Sequence, residues 1–189
     1  MIEAQIVLAS ASPRRRELLA QVGIPCAVHP AEIDETPLPD ETAEGYVLRV
    51  ARAKAMTVAQ ALGGAATVLG GDTAVVVDGE PLGKPRSPDE ASAMLRRLSG
   101  RTHDVISAVV LIRGEHMASR ISITHVTMRV LNDTEIAAYC ATGEPYDKAG
   151  GYAVQGRAAA FISNLEGSYT GVVGLPLFET VELLTEVGV

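Results

Sequence analysis

Between Thr42 and Leu62, Val47, Val50, Ala51, Val58 and Leu62 recur at steps of three and four residues, which predicts an amphipathic helix. Lys54 falls on the same apolar face. Elsewhere the period shortens to that of strands. Gln5-Ile6-Val7-Leu8 reads as a first strand, and Ser12-Pro13 then opens a helix that closes near Gly23, with Ser12 as its cap. Val68-Leu69 and the β-branched run Thr73 to Val77 read as buried strand interrupted by Asp72, and Asp78-Gly79 is the signal of a two-residue hairpin. Ser87-Pro88-Asp89-Glu90 predicts a helix with a capping box, running to Gly100. His103–Ile112 and Ile121–Leu131 predict an antiparallel pair around Arg113-Gly114-Glu115. Asn132 to Glu135 caps a short helix ending near Gly143. A strand-like Phe161-Ile162, a Val172-Val173 run and a helix from about Pro176 to Val187 close the chain. Helices and strands interleave with at least one antiparallel pair, so the expected class is α/β with a mixed twisted sheet and flanking helices.

With 189 residues, the chain is expected to form one domain, residues 1–189, large enough to hold a cleft between two lobes. Tryptophan is absent and only 4% of residues are aromatic, so the core must be built from Val, Leu, Ile and Ala. A net charge of −7 opposes broad binding to a nucleic-acid backbone. Met1 to Gln5 lacks the cationic start of a signal peptide, and no apolar run reaches the ~18 residues of a membrane span, so a cytoplasmic protein is expected. Cys26 and Cys140 are far apart and have no metal-ligand spacing; they read as reduced packing residues.

Chemistry is concentrated in a few stretches. In Gly70-Gly71-Asp72-Thr73 a carboxylate stands beside two glycines that permit close approach of backbone or ligand, and the returning arm of the hairpin carries Lys84 back towards it. Asp72 is either a working carboxylate or a turn residue, and Lys84 either a partner or a solvated charge. Arg14, Arg15 and Arg16 occupy a helix N-terminus, where positive charge is unfavourable unless an anion offsets it. Together with Ser10, Ser12 and free backbone N–H groups they resemble a phosphate site. Lys54 either snorkels outward or points into a polar cleft. The acidic segment Pro30 to Pro37, with Glu35, is irregular and either binds a hard cation or simply stays wet. Glu144 to Gly156 is a glycine-rich loop in which Asp147, Lys148 and Gln155 offer specific hydrogen bonds.

Taken in order, Ala9-Ser10-Ala11-Ser12-Pro13-Arg14-Arg15, Ile33-Asp34-Glu35-Thr36, Ala51-Arg52-Ala53-Lys54-Ala55, Gly71-Asp72-Thr73, Leu82-Gly83-Lys84-Pro85, Asp147-Lys148-Ala149-Gly150 and Gln155-Gly156 resemble the Maf family of nucleoside triphosphate pyrophosphatases. The resemblance implies a bilobed Maf/ITPase-like fold around a central cleft, a homodimer, and hydrolysis of nucleoside triphosphates between the α and β phosphates. It implies a divalent cation, Mg²⁺ or Mn²⁺, held by Glu35 and Asp72. Asp72, Glu35, Lys54 and Lys84 would then be catalytic. Ser10, Ser12, Arg14, Arg15, Thr73, Lys148 and Gln155 would bind substrate. The residues at Arg14, Thr73 and Gln155 resemble the branch that acts on dTTP and UTP, with CTP and modified pyrimidines also compatible with an amide at Gln155. Clearing non-standard nucleotides and arresting cell division are both compatible roles. The alternatives are a 7-methyl-GTP pyrophosphatase and a nucleotide-binding regulator of septum formation.

Overall fold

The computed structural model describes residues 6–64 and 66–189. Gln5, the expected start of the first strand, lies outside them. The strands are β1 (Ile6–Leu8), β2 (Cys26–Val28), β3 (Thr67–Val77), β4 (Glu80–Leu82), β5 (Thr102–Arg113), β6 (His116–Met128) and β7 (Ile162–Glu166). The helices are α1 (Pro13–Gln21), α2 (Ala43–Ala61), α3 (Pro88–Leu98), α4 (Asp133–Cys140), α5 (Tyr169–Val173) and α6 (Leu177–Glu186), with short 3₁₀ turns at Glu144–Asp147, Ala149–Gly151 and Arg157–Phe161. All seven strands join one mixed sheet in the order β2-β1-β3-β5-β6-β7, with β4 on β3. The expected α/β class with flanking helices is the observed one.

β3 is the spine of the sheet. One edge pairs antiparallel with β5 from Thr67 to Val76. The other edge pairs parallel with β1 at Thr67 to Leu69 and antiparallel with β4 at Val75 to Val77. Among the described residues, the stretch from Gly70 to Ala74 has no strand partner on that second edge. The opening lies where β1 ends and the pairing partner changes, and strand ends at a change of partner are where α/β sheets bind ligands. The hairpin from β3 to β4 turns at Asp78 and Gly79, both at positive φ (56° and 79°), as a type I′ turn requires.

Helices cover both faces. Val47, Ala51, Ala55 and Val58 of α2 pack on Val68, Ala74, Val76, Ile106 and Ala108. Leu18 and Leu19 of α1 and Leu183 and Leu184 of α6 cover Ile6, Leu8, Leu69, Val109 and Leu111 on the other face. Leu95, Leu98, Ile136 and Tyr139 of α3 and α4 pack on Val75, Val77, Val105 and Val126. The core is aliphatic, as the composition requires.

Several expectations are corrected. Asp72 does not interrupt the strand: β3 runs through it, because Gly70, Gly71 and Asp72 keep the ladder with Val110, Val109 and Ala108. β2 was not legible, since two half-buried residues and one exposed one carry no strand pattern and only the parallel ladder to β1 defines them. β6 begins already at His116 and ends at Met128, because pairing with β5 across the Gly114-Glu115 turn recruits polar residues. Val172-Val173 lies in α5. The Ser12 hydroxyl makes no capping bond to α1. At α3 the Ser87 hydroxyl does accept from the Glu90 N–H, but the Glu90 carboxylate accepts from the Arg86 N–H, so the box stays half-formed. The complete box belongs to Asn132 and Glu135. Among the described residues no helix is long and apolar enough to cross a membrane.

Candidate functional site

The opening beside β3 leads into a cleft of about 870 Å³. One wall is the segment from Ala9 to Arg15 that follows β1 and starts α1; the other is the end of β4 through Lys84 together with Tyr146 to Gln155. Glu35 from the acidic loop and Lys54 from α2 also border it. The residues to which the resemblance gives catalytic or substrate-binding roles all line this one cleft: Ser10, Ser12, Arg14, Arg15, Glu35, Lys54, Asp72, Thr73, Lys84, Lys148 and Gln155.

Side chains alternate along β3, so Val68, Gly70, Asp72, Ala74 and Val76 face α2. Gly70 has no room for a side chain: a Cβ there would lie 2.4 Å from the Ala51 carbonyl oxygen and 2.8 Å from the Ala55 Cβ. The missing side chain lets α2 settle against the sheet, and it brings Lys54, one turn along from Ala51, over Asp72. Lys54 Nζ donates to Asp72 Oδ1 at 2.8 Å and lies 2.9 Å from Glu35 Oε1. Lys54 and Asp72 are 8% and 7% exposed, whereas the Glu35 side chain is half exposed. Lys54 therefore takes the cleft alternative rather than snorkelling. The same side chain explains why a carboxylate can be buried in mid-strand: an unpaired ion there would cost several kcal/mol.

Thr73 points to the opposite face. Its hydroxyl is 2.8 Å from Ser107 Oγ and 3.3 Å from the Gly174 carbonyl oxygen, to which it donates. Arg15 is buried beside it, with Nε donating to the Gly174 carbonyl at 2.7 Å and one terminal nitrogen donating to Ser10 Oγ at 3.0 Å. Gly71 lies against this guanidinium, and a Cβ there would stand 3.6 Å from Arg15 Nε, an ordinary contact. Burial lowers the Arg15 pKa from its ordinary value, and the charges of Asp72 and Glu35 oppose that shift. The guanidinium stays a fixed positive charge in the wall. Arg16, by contrast, is exposed.

Arg14 reaches across the cleft and meets Asp147 at 2.9 Å. Asp147 also accepts from Lys148. Burial works against the Asp147 charge, but hydrogen bonds from Lys148 and Arg14 outweigh it and hold the carboxyl below its usual range. Asp147 is thus the partner of Arg14, a pairing across most of the chain that no sequence signal announced. Lys84 is exposed on the rim, and among the described residues it has no salt-bridge partner. Gln155 is exposed while Gly151 to Val154 before it are buried, so it projects from an otherwise packed segment.

Two carboxylates converging on one ammonium are a donor set for a hard divalent cation, provided phosphate and water oxygens complete the shell. Mg²⁺ is commonly held by one or two carboxylates plus substrate phosphates. Glu35 and Asp72 match that pattern, although among the described residues no group of three or more His, Cys, Asp or Glu could hold a metal without substrate. The negative field reaches Tyr46 on the cleft wall, whose phenol pKa is raised by burial and then by Asp72 and Glu35.

His103 and Tyr152 were not recognised from the sequence. Tyr152 lines the cleft, and its hydroxyl lies 2.7 Å from the buried His103 Nε2, with the rings edge to face. Burial pulls the His103 pKa down to about 4. A histidine with a folded pKa below its unfolded value of 6.5 takes up its proton more readily when unfolded. Its stabilising contribution is therefore intact above pH 6.5 and is lost as the pH falls towards 4, at a cost of roughly 3 kcal/mol. Thermal denaturation followed from pH 7 to pH 4 should show a steeper fall for the wild type than for His103→Gln, which cannot acquire the charge. Parallel curves would remove His103 from this account.

Comparison with known proteins identifies the family. The family model described as Maf-like protein matches residues 5–187. The dTTP/UTP pyrophosphatase of Myxococcus xanthus (strain DK1622) is 54% identical over 183 residues, covering 97% of this chain and 92% of that protein. The dTTP/UTP pyrophosphatase of Aromatoleum aromaticum is 48% identical over 200 residues, covering 99% and 97%. Among solved structures, the Ham1 protein of Staphylococcus aureus aligns with a TM-score of 0.53 at 14% identity over 97% of each chain, a likeness of fold. The matched residues span nearly the whole chain and include every side chain placed around the cleft, and on that ground the chain belongs to the Maf-like protein family.

Proposed function

We propose that this chain is a nucleoside triphosphate pyrophosphatase that splits dTTP and UTP between the α and β phosphates, releasing the nucleoside monophosphate and inorganic pyrophosphate. The observation that carries the reading is the buried Lys54 ammonium held between Asp72 and Glu35 in a cleft that is also lined by Arg14, by Arg15 buried in its wall and by Lys84 on its rim. A triphosphate repels an incoming nucleophile, so a catalyst for this reaction needs fixed positive charge around the phosphates and a base beside the attacked phosphorus. In this reading Asp72 takes the proton from the attacking water and Lys54 holds the two carboxylates in place. Lys84 and Arg14 bind the phosphate tail, Arg14 exchanging Asp147 for phosphate. Arg15, tied to Gly174 and Ser10, supplies fixed charge, and Ser12 and the N–H groups at the start of α1 receive a phosphate oxygen. Glu35 and Asp72 would hold Mg²⁺ or Mn²⁺, which when bound would neutralise phosphate charge and ease deprotonation of water.

The base is assigned to the opposite wall. The Gln155 amide has the donor and acceptor to meet the O4 and N3–H of uracil or thymine, with Thr73 and Lys148 nearby in the same cleft. Rotation of the amide would admit cytosine. The relatives named dTTP/UTP pyrophosphatases support the pyrimidine choice. Family resemblance extends the reading to a cytoplasmic homodimer with residues 1–189 as one bilobed working unit.

Pyrophosphate release measured over dTTP, UTP, CTP, ATP, GTP and 7-methyl-GTP, with and without Mg²⁺ or Mn²⁺, tests the whole reading. Fastest turnover is expected on dTTP and UTP, and only with metal. Preference for 7-methyl-GTP would replace the substrate assignment, and tight nucleotide binding without pyrophosphate release would replace the enzyme by a regulator.

A further inference from the structure

The backbone beside Gln155 is bonded by a residue outside the cleft. The Glu144 carboxylate accepts from the Tyr139 hydroxyl at 2.8 Å and from the N–H groups of Arg157 at 3.1 Å and Ala158 at 3.5 Å. The Tyr139 hydroxyl in turn accepts from the Ala153 N–H at 3.2 Å. Tyr139 thus ties the chain just before Gln155, and Glu144 ties it just after. Gly156 makes the approach possible: its φ of −107° suits any residue, but a Cβ would lie 2.4 Å from Glu144 Oε1. The Glu144 carbonyl also accepts from Lys148 Nζ at 3.0 Å. Burial opposes the Glu144 charge, but the donors from Arg157, Tyr139 and Ala158 together outweigh it and lower its pKa. Among the described residues neither Glu144 nor Tyr139 lines the cleft.

We infer that Glu144 is a positioning residue which, with Tyr139, clamps both sides of Gln155 and so governs which nucleobase the cleft accepts. The inference rests on the reading above only in assigning base recognition to Gln155. A carboxylate is required because all the groups that surround it are donors. An amide in its place would turn an N–H₂ group towards either the Arg157 N–H or the Ala158 N–H, and that contact would be lost. The segment carries three glycines, and Glu144 and Tyr139 add to the Tyr152–His103 and Gly150–Gly83 bonds in holding it, acting on the residues that flank Gln155.

Two variants test this, Glu144→Gln and Tyr139→Phe, the second keeping the ring that packs edge to face on Phe161. For each, kcat and KM are measured on UTP and GTP, alone and in a Gln155→Ala background, and amide hydrogen exchange is followed along the chain. The expected result is an about tenfold loss of discrimination between UTP and GTP, carried by KM for UTP. Discrimination should not change further once Gln155 is alanine, and exchange should quicken at Ala153 to Ala158 while α2 keeps its protection. A role in overall stability alone would lower the active fraction equally for both nucleotides. The inference is overturned if discrimination stays at the wild-type value, if it falls equally without Gln155, or if exchange in the segment does not change. Should the wild type itself not discriminate, the substrate reading fails on its own, and the exchange data still decide whether the clamp exists.

Discussion

Asp72→Asn is expected to lower turnover of dTTP and UTP by roughly a thousandfold, the range supplied by a positioned general base, while leaving KM nearly unchanged. The amide keeps the shape of the carboxylate, can still accept from Lys54, and stays within the same β3 ladder opposite Ala108. Lys54 keeps Glu35 as a counter-ion at 2.9 Å, so no isolated buried charge is created and the fold should persist. Circular dichroism and binding of a non-hydrolysable nucleotide separate loss of chemistry from loss of structure. A variant that binds nucleotide and hydrolyses it within tenfold of the wild-type rate would take the base away from Asp72.

Lys54→Met should damage both stability and activity. Asp72 is buried and its ammonium partner is Lys54, so truncation leaves a buried carboxylate uncompensated and facing a second carboxylate, Glu35. Removing one member of a buried pair costs about 3–5 kcal/mol, which for a domain of this size lowers the melting temperature by on the order of 10 °C. Adding Asp72→Asn to Lys54→Met should recover much of that loss without recovering activity, because the neutral amide no longer needs the ammonium. Mg²⁺ or Mn²⁺ should stabilise Lys54→Met more than the wild type, since a divalent cation can stand between the carboxylates where the ammonium stood. A melting temperature equal to that of the wild type, with no added response to metal, would show that Lys54 does not organise the two acids.

The two proposals on the base side are separable from these. Asp72 and Lys54 act on one face of β3, next to α2, whereas Gln155 and its clamp come from the loop between α4 and β7. Defects in the first group should affect all nucleotides alike, and defects in the second should alter the ranking among bases.

What the sequence by itself determined was local. The period of α2, the Asp78-Gly79 hairpin, the cap at Asn132 and the β-rich run of β5 are set by residues within a turn or a strand of each other, and they appear where the pattern places them. The quoted motif residues were legible for a related reason, since unusual residue types such as an arginine triplet at a helix start or an acid in an apolar run conflict with their surroundings and so mark a site. Tertiary structure decided the rest. Whether Lys54 snorkels or pairs depends on how closely α2 can lie on Gly70, a contact between distant segments. Arg14 with Asp147 and Tyr152 with His103 are likewise made only when the fold brings separate segments together, and Glu144 meets the backbone after Gln155 only when its loop folds back on itself. Local propensity reaches a few residues along the chain. A buried ion or a clamped loop is specified by the neighbours that complete its hydrogen bonds, and folding alone determines which those are.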